Sequence, residues 1–211
     1  MRSRDRALPW RRSATGSGSD TASRAMSLHL TGGLDAGRRL KSPAPRLARP
    51  TTALLRQAVF NTLGRRVGDA RVLDLFAGAG TMGLEALSRG ARHCTFVDSS
   101  GACASIVREN LRLAGHTEEA AVFCSDACSW LRQHGSELVD FDLVFLDPPY
   151  ASPLTPEALG TLEGHLRPEA LVVLEHGRSE LGAPVGAGWV IWRRKRYGDS
   201  CVTYLEPAGQ S

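Results

Sequence analysis

No apolar run in these 211 residues approaches the roughly 20 that a membrane-spanning helix needs, and no secretory signal is recognisable, so a cytoplasmic protein without membrane contact is expected. Cysteine is sparse and odd in number, at five, without the even, spaced framework of a disulfide scaffold. Cys124 and Cys128 are not followed by a second ligand pair at similar spacing, which argues against zinc and predicts small buried residues; no metal is expected. No internal repeat is found. Acids are nearly missing from the first third. Residues 1–66 hold 14 Lys or Arg against three acids, a net +11, and with +4 for the whole chain the remainder carries −7.

That asymmetry describes a basic attachment on an acidic domain, and it points to a polyanionic partner, nucleic acid before an anionic membrane surface. Residues 1–25 are rich in Arg, Ser, Thr and Gly without periodicity and are expected to form a disordered basic tail, with Met26 an alternative start. Residues 26–66 predict a small β-ribbon, 28–31 against 38–41, around Gly32, Gly33 and Gly37, with exposed arginines. A helix follows, capped by Thr51 or Thr52, with Leu54, Leu55, Val59, Phe60 and Leu63 as its apolar stripe. Residues 67–211 form the main domain.

In that domain strand and helix alternate: strands at 71–76, 93–98, 120–124, 141–146 and 170–175, helices at 81–89, 101–114, 127–133 and 155–165. Alternation of this kind predicts an α/β fold with a mainly parallel sheet covered on both faces. Two further strand-like runs, 189–192 and 200–205, are separated by Arg193-Arg194-Lys195-Arg196-Tyr197-Gly198-Asp199 and predict an antiparallel C-terminal hairpin. Trp10, Trp130, Trp189 and Trp192 are read as core or surface aromatics.

The chain is organised around 71–83, RVLDLFAGAGTMG, a strand, a glycine turn and a helix start. Glycine lets backbone N–H groups and a helix N-terminus approach a nucleotide-like cofactor closely. Gly78, Gly80 and Gly83 also satisfy the dinucleotide pattern, which alone is a weak signal. Asp74, inside the strand, narrows the choice, because a buried acid needs a charged or donor partner. A dinucleotide strand has no use for it, whereas S-adenosylmethionine carries an ammonium group and a sulfonium. Asp98 ends the next strand, placed to accept from two ribose hydroxyls, a role an NAD site would also use.

The fourth strand runs into Asp147-Pro148-Pro149-Tyr150, at the carboxyl edge of the sheet where open α/β folds bind ligands. The prolines stiffen the turn and remove backbone donors, leaving a carboxylate and carbonyl oxygens. Such acceptors beside a methyl sulfonium suit an exocyclic amine: Asp147 and the Pro148 carbonyl take its two hydrogens and aim the nitrogen lone pair, mainly a positioning gain. Tyr150 offers a π-face for the base, which must be flipped out or unpaired to enter. Asp126, after the third strand, is a candidate acceptor for the cofactor's adenine amine and equally a helix cap.

With both motifs in hand the chain resembles the bacterial small-subunit ribosomal RNA guanine-N2 methyltransferases of the RsmD type, over roughly residues 27–206. Besides DPPY, which adenine-N6 enzymes share, the resemblance rests on Arg49-Pro50-Thr51-Thr52 with Phe60-Asn61, preceded by Gly33 and Gly37-Arg38-Arg39-Leu40. It implies a class I, Rossmann-like methyltransferase with a seven-stranded sheet whose last strand is antiparallel, S-adenosyl-L-methionine as cofactor, and one guanine N2 of 16S-like rRNA, in an assembling or assembled subunit, as target. It also implies that Asp74, Phe76, Gly78 and Gly80 contact the cofactor, Asp98 its ribose and Asp126 its adenine, with the guanine at 147–150 and the RNA on Arg38, Arg39, Arg49 and Thr51; a monomer is expected. The chain departs from the family pattern at Asp98, often Glu, at Ser100, often an acid, and at Leu34, Asp35 and Ala36, which stand where basic residues are usual. An adenine-N6 enzyme is the alternative closest in chemistry. A non-catalytic RNA-binding assembly factor is a further alternative, and intact Asp147 and glycines argue against it. An NAD oxidoreductase would need a Tyr-Lys or His-Asp pattern that is missing, and a cytosine-C5 enzyme a cysteine beside DPPY.

Overall fold

The computed structural model describes residues 28–42, 52–148, 153–180 and 185–209. The expected tail 1–25, with Trp10, therefore lies outside the described residues, as do Arg49, Thr51, Pro149 and Tyr150.

Seven strands form one sheet: β1 (Arg71–Leu75), β2 (His93–Asp98), β3 (Ala120–Cys124), β4 (Leu143–Leu146), β5 (Leu171–Gly177), β6 (Trp189–Tyr197) and β7 (Ser200–Pro207), in the order β3-β2-β1-β4-β5-β7-β6. β1 to β5 pair in parallel, and β7 is antiparallel to both β5 and β6. The strand order reverses between β1 and β4, so the ligand crevice of an open α/β sheet falls at their carboxyl ends. Among the described residues five α-helices cover the sheet: α1 (Ala53–Leu63), α2 (Thr81–Ser88), α3 (Gly101–Ala114), α4 (Ala127–Gln133) and α5 (Leu154–Leu162). Leu55, Leu84 and Val107 of α1 to α3 share one core with Val72 and Phe145, while Trp130 and Leu159 of α4 and α5 join the other with Leu73 and Val144. Alternation along each strand sends successive side chains to opposite cores.

Local chemistry sets the helix starts. Thr52 caps α1 through Leu55 N–H at 3.2 Å, Ser100 caps α3 through Cys103 N–H at 3.3 Å, and Asp126 caps α4 through Ser129 N–H at 2.8 Å. Several expected boundaries shift. The fourth strand starts at Leu143, the fifth runs to Gly177, and α5 ends at Leu162. The largest difference is at the C-terminus: 193–197 is strand rather than connection, and the hairpin turn is Gly198-Asp199. Arg194 pairs with Thr203 and Arg196 with Cys201 in the ladder; Arg193 and Arg196 are exposed, while Arg194 Nε donates to the Thr203 hydroxyl at 3.2 Å and Lys195 Nζ to that of Thr62 at 3.0 Å. Leu54, assigned to the apolar stripe, is 73% exposed, and Arg56 takes the buried place at 1%. Cys124 is exposed, not buried, because β3 is an edge strand; Cys128 is buried. Trp130 and Trp189 are core, whereas Trp192 is 39% exposed. Among the described residues no helix is long and apolar enough to cross a membrane.

The N-terminal ribbon is minimal, a single antiparallel bridge of His29 with Arg39, closed by Leu30 N–H to Arg38 O and Leu40 N–H to Leu28 O. It lies on α2 and α3. A Cβ on Gly33 would sit 1.9 Å from the Ser88 carbonyl oxygen, so only glycine permits this approach.

Candidate active site

Three carboxylates converge at the carboxyl ends of β1, β2 and β4. Asp74 is 2% exposed and its Oδ2 accepts from Gly83 N–H, at the start of α2, at 2.9 Å. Burial pushes this carboxyl well above the usual carboxylate range; the Gly83 hydrogen bond opposes the shift, and the charges of Asp147 and Asp98 add to it. A buried acid flanked by two others is a place where a cation is favoured. Asp98, half-buried, accepts from Gly78 N–H at 2.7 Å through Oδ2 and from Ser100 N–H at 2.8 Å through Oδ1, which leaves lone pairs on both oxygens for two further donors. Asp147 follows β4 and is half-buried, and Pro148 beside it is buried.

The turn that joins β1 to α2 is held open by its backbone. Phe76, Gly78 and Gly80 have φ of 63°, 56° and 76°. Left-handed backbone costs a bulky residue such as Phe76 about 1–3 kcal/mol, strain of a kind that clusters at ligand sites. Ala77 N–H donates to Val97 O and Gly80 N–H to Ala77 O, tying the turn to β2. At Gly83 a Cβ would meet the Phe96 ring at 2.3 Å and Cys94 Sγ at 2.5 Å, so α2 packs this tightly only with glycine there. Asp126 is exposed beyond the end of β3, its Oδ1 engaged as the α4 cap.

Residues 28–206 match the family model described as Conserved hypothetical protein 95. The chain belongs to this family, the RsmD type. It is 39% identical over 173 residues to the Escherichia coli (strain K12) protein named Ribosomal RNA small subunit methyltransferase D, covering 80% of this chain and 84% of that one. The solved structure of Escherichia coli yhhF superposes with a TM-score of 0.76 at 34% identity, over 87% of this chain and 99% of that one. An RNA methyltransferase from Salinibacter ruber, in complex with S-adenosyl-L-homocysteine, shares the fold at a TM-score of 0.61 and 16% identity, over 77% of this chain and 97% of that one. The class I methyltransferase fold is thus shared across the group.

Two features of this RsmD-type chain escaped the sequence reading. Buried Glu85 of α2 accepts from Thr31 N–H and hydroxyl at 2.8 and 2.7 Å and from Arg89 at 2.8 and 2.9 Å, and lies 3.7 Å from Arg56 Nε. Buried Asn110 of α3 donates to the Ala79 carbonyl of the glycine turn at 3.0 Å and brackets Lys41 of the ribbon, accepting from its N–H at 2.7 Å and donating to its carbonyl at 3.0 Å. The ribbon's cations are less available than its sequence suggests. Arg38 pairs with Asp35 at 2.9 Å and donates to Leu113 O, and Lys41 pairs with Glu109 at 3.1 Å, while Arg39 stays exposed with no ion pair among the described residues.

Proposed function

We propose that this protein transfers the methyl group of S-adenosyl-L-methionine to the exocyclic N2 of a guanine in small-subunit ribosomal RNA, in the cytoplasm. The observation that carries the reading is the convergence of Asp74, Asp98 and Asp147 on one crevice beside a strained glycine turn. The residues fit this cofactor, since a carboxylate raised by burial, with its acidic neighbours adding to the shift, is relieved by a ligand that brings positive charge, and Asp98 retains acceptor capacity for a ribose diol. When bound, the cofactor supplies an electrophilic methyl group on a sulfonium.

The chain supplies the rest. Asp74 balances the cofactor's charge, the glycines of the Phe76 to Gly80 turn let the cofactor approach the backbone closely, and Asp98 and Asp126 accept from the ribose and the adenine. Asp147 and the Pro148 carbonyl accept the two hydrogens of the guanine amine, which turns its lone pair toward the methyl group. As the N–C bond forms and the methyl–sulfur bond of the cofactor breaks, its electron pair staying on sulfur to leave the neutral thioether S-adenosylhomocysteine, one of those protons would pass to an Asp147 carboxylate oxygen. Tyr150 stacks on the base, and Arg39, Arg49 and Thr51 hold the surrounding phosphates. The relative's small-subunit rRNA name supports the substrate class.

The test is transfer from labelled S-adenosyl-L-methionine to unmodified 16S transcript and to 30S particles reconstituted from it, followed by digestion to nucleosides. Label in N2-methylguanosine is expected, and Asp147→Ala is expected to abolish it while leaving cofactor affinity within about twofold. Label in N6-methyladenosine would reassign the base, and full turnover by Asp147→Ala would sink the mechanism.

A further inference from the structure

The densest charge outside the crevice is Arg193-Arg194-Lys195-Arg196 on β6, in a part of the chain that is otherwise acidic. β6 ends the sheet order, so one side of its backbone pairs with β7 and the other faces outward. Alternation places Arg193 and Lys195 toward one face and Arg194 and Arg196 toward the other, so positive charge wraps the sheet edge. Because β6 runs in the same sense as β4 and β5, this half of the strand lies toward the sheet end that carries Asp147. Three strand spacings separate β6 from β4, about 14 Å.

The edge is built, not merely basic. Trp192 stands edge-on to buried Tyr204, at 5.7 Å and 85°, with the Arg66 guanidinium 5.1 Å and that of Arg193 5.7 Å from its ring centroid. Such contacts fix a guanidinium plane and leave N–H edges for phosphate oxygens. Arg66 comes from the short helix 64–67 after α1, with exposed Arg65 beside it, and is ion-paired with Glu206 at 3.1 Å, opposite Val190 at the start of β6, so it steadies Trp192 from the amino end of the sheet, away from Asp147. Lys195 Nζ donates to Thr62 of α1 at 3.0 Å, and no carboxylate partners Arg193, Lys195 or Arg196 among the described residues. Cations alone would suffice to guard an edge strand against pairing. An aromatic platform that gathers arginines from two elements is not needed for that.

We propose that the outer edge of β6, with Trp192, Arg193, Lys195 and Arg196, is a second RNA-contacting surface that holds backbone phosphates flanking the nucleotide delivered to Asp147. The inference rests on the RNA methyltransferase reading and adds a surface to it. It also accounts for a ribbon whose Arg38 and Lys41 are paired within the fold.

The experiment compares wild type with Arg193→Gln/Lys195→Gln/Arg196→Gln for equilibrium binding of unmodified 16S transcript between 50 and 200 mM salt, and for methyl transfer to it. Losing three phosphate contacts should flatten the plot of log K against log salt by about two to three units, at roughly 0.7–0.9 per contact. KM for RNA should rise at least tenfold, with cofactor affinity and kcat at saturating RNA unchanged. The single variant Arg196→Gln, at an exposed side chain, should lower the slope by roughly 0.7–0.9 and covers the case of a poorly folded triple variant. An unchanged slope and KM in a variant that binds cofactor normally would overturn the proposal and leave the cations as edge guards or a protein contact. The expected slope difference between wild type and variant, with no methyl transfer by the wild type, would sink the enzyme reading and keep the surface.

Discussion

Removing the Glu85 carboxylate tests how the N-terminal ribbon is attached. Glu85→Ala deletes four accepted hydrogen bonds and leaves the Arg56 guanidinium, 1% exposed, without its acidic partner. Burial already lowers the Arg56 pKa, with Glu85 opposing, so the variant meets an uncompensated buried charge. Breaking such a pair costs about 3–5 kcal/mol, a large part of the roughly 5–15 kcal/mol that holds a domain together. At about 2–4 °C per kcal/mol for a chain of this size the midpoint should fall by roughly 6–20 °C. Urea melts followed by circular dichroism measure the loss, and hydrogen exchange at the Leu30 and Leu40 amides, bonded to Arg38 O and Leu28 O, reports whether the ribbon opens first. The charge argument predicts partial recovery in Arg56→Met/Glu85→Leu, where neither buried charge remains and exposed rotamers are open to Arg89 at 20% exposure. A loss below about 1 kcal/mol, the size of a surface pair, would refute the reasoning.

Two further perturbations probe the crevice. Gly83→Ala should cost about 1–3 kcal/mol by overpacking against Phe96 and Cys94 and should weaken cofactor binding by moving the Gly83 N–H from Asp74; a wild-type urea midpoint would show that α2 slides freely. Asp74, raised by burial and by Asp147 and Asp98, keeps its proton in the folded protein at pH values where the unfolded chain has lost it. Stability of the cofactor-free protein should therefore fall as pH rises from the usual carboxylate range toward the raised value. A ligand that carries an ammonium favours the ionised form, so S-adenosylhomocysteine should bind more tightly as pH rises through that window, with proton release. Calorimetric titrations in two buffers of different ionisation enthalpy measure the release, and its absence throughout the window would contradict the raised value.

The parts of the fold that were legible share a cause. β1, the glycine turn and α2 announce themselves because local sequence alone dictates them: a short apolar run, glycines at left-handed positions, then helical spacing. The placement of Asp74, Asp98 and Asp147 at one edge of the sheet is legible because strand ends are easy to locate. Pairing across the fold is not. In α1 the spacing 56, 59, 60, 63 already places Arg56 on the buried face, but its partner lies on α2, and nothing near Arg56 in the chain announces Glu85. The sequence shortens β6 because four consecutive cations look like a turn, whereas an edge strand tolerates them, with Arg193 and Arg196 exposed and Arg194 and Lys195 bonded to Thr203 and Thr62. At Arg38 the sequence shows the residue as exposed, which it is, but not that it is engaged: Asp35 stands only three residues away, and the Leu113 carbonyl is brought to it by tertiary contact.

These long-range contacts are also what make the ribbon and the crevice one mechanical unit. Asn110 is fully buried and joins the Ala79 carbonyl of the glycine turn to both backbone groups of Lys41, while Glu85 joins Thr31 to α2, the helix whose first turn donates to Asp74. A buried amide satisfied at three points costs about 1–3 kcal/mol for each group left unpaired, so displacing the ribbon and deforming the turn are penalised together. Whatever the ribbon grips is thereby held in register with Asp74 and Asp98, with no hinge among the described contacts between them. The β6 edge gains its register differently, through Lys195 to α1 and through the ladder to β5, beside the strand that ends in Asp147. One framework thus fixes the cofactor turn relative to the ribbon, and the sheet itself fixes the acceptor carboxylate relative to the basic edge.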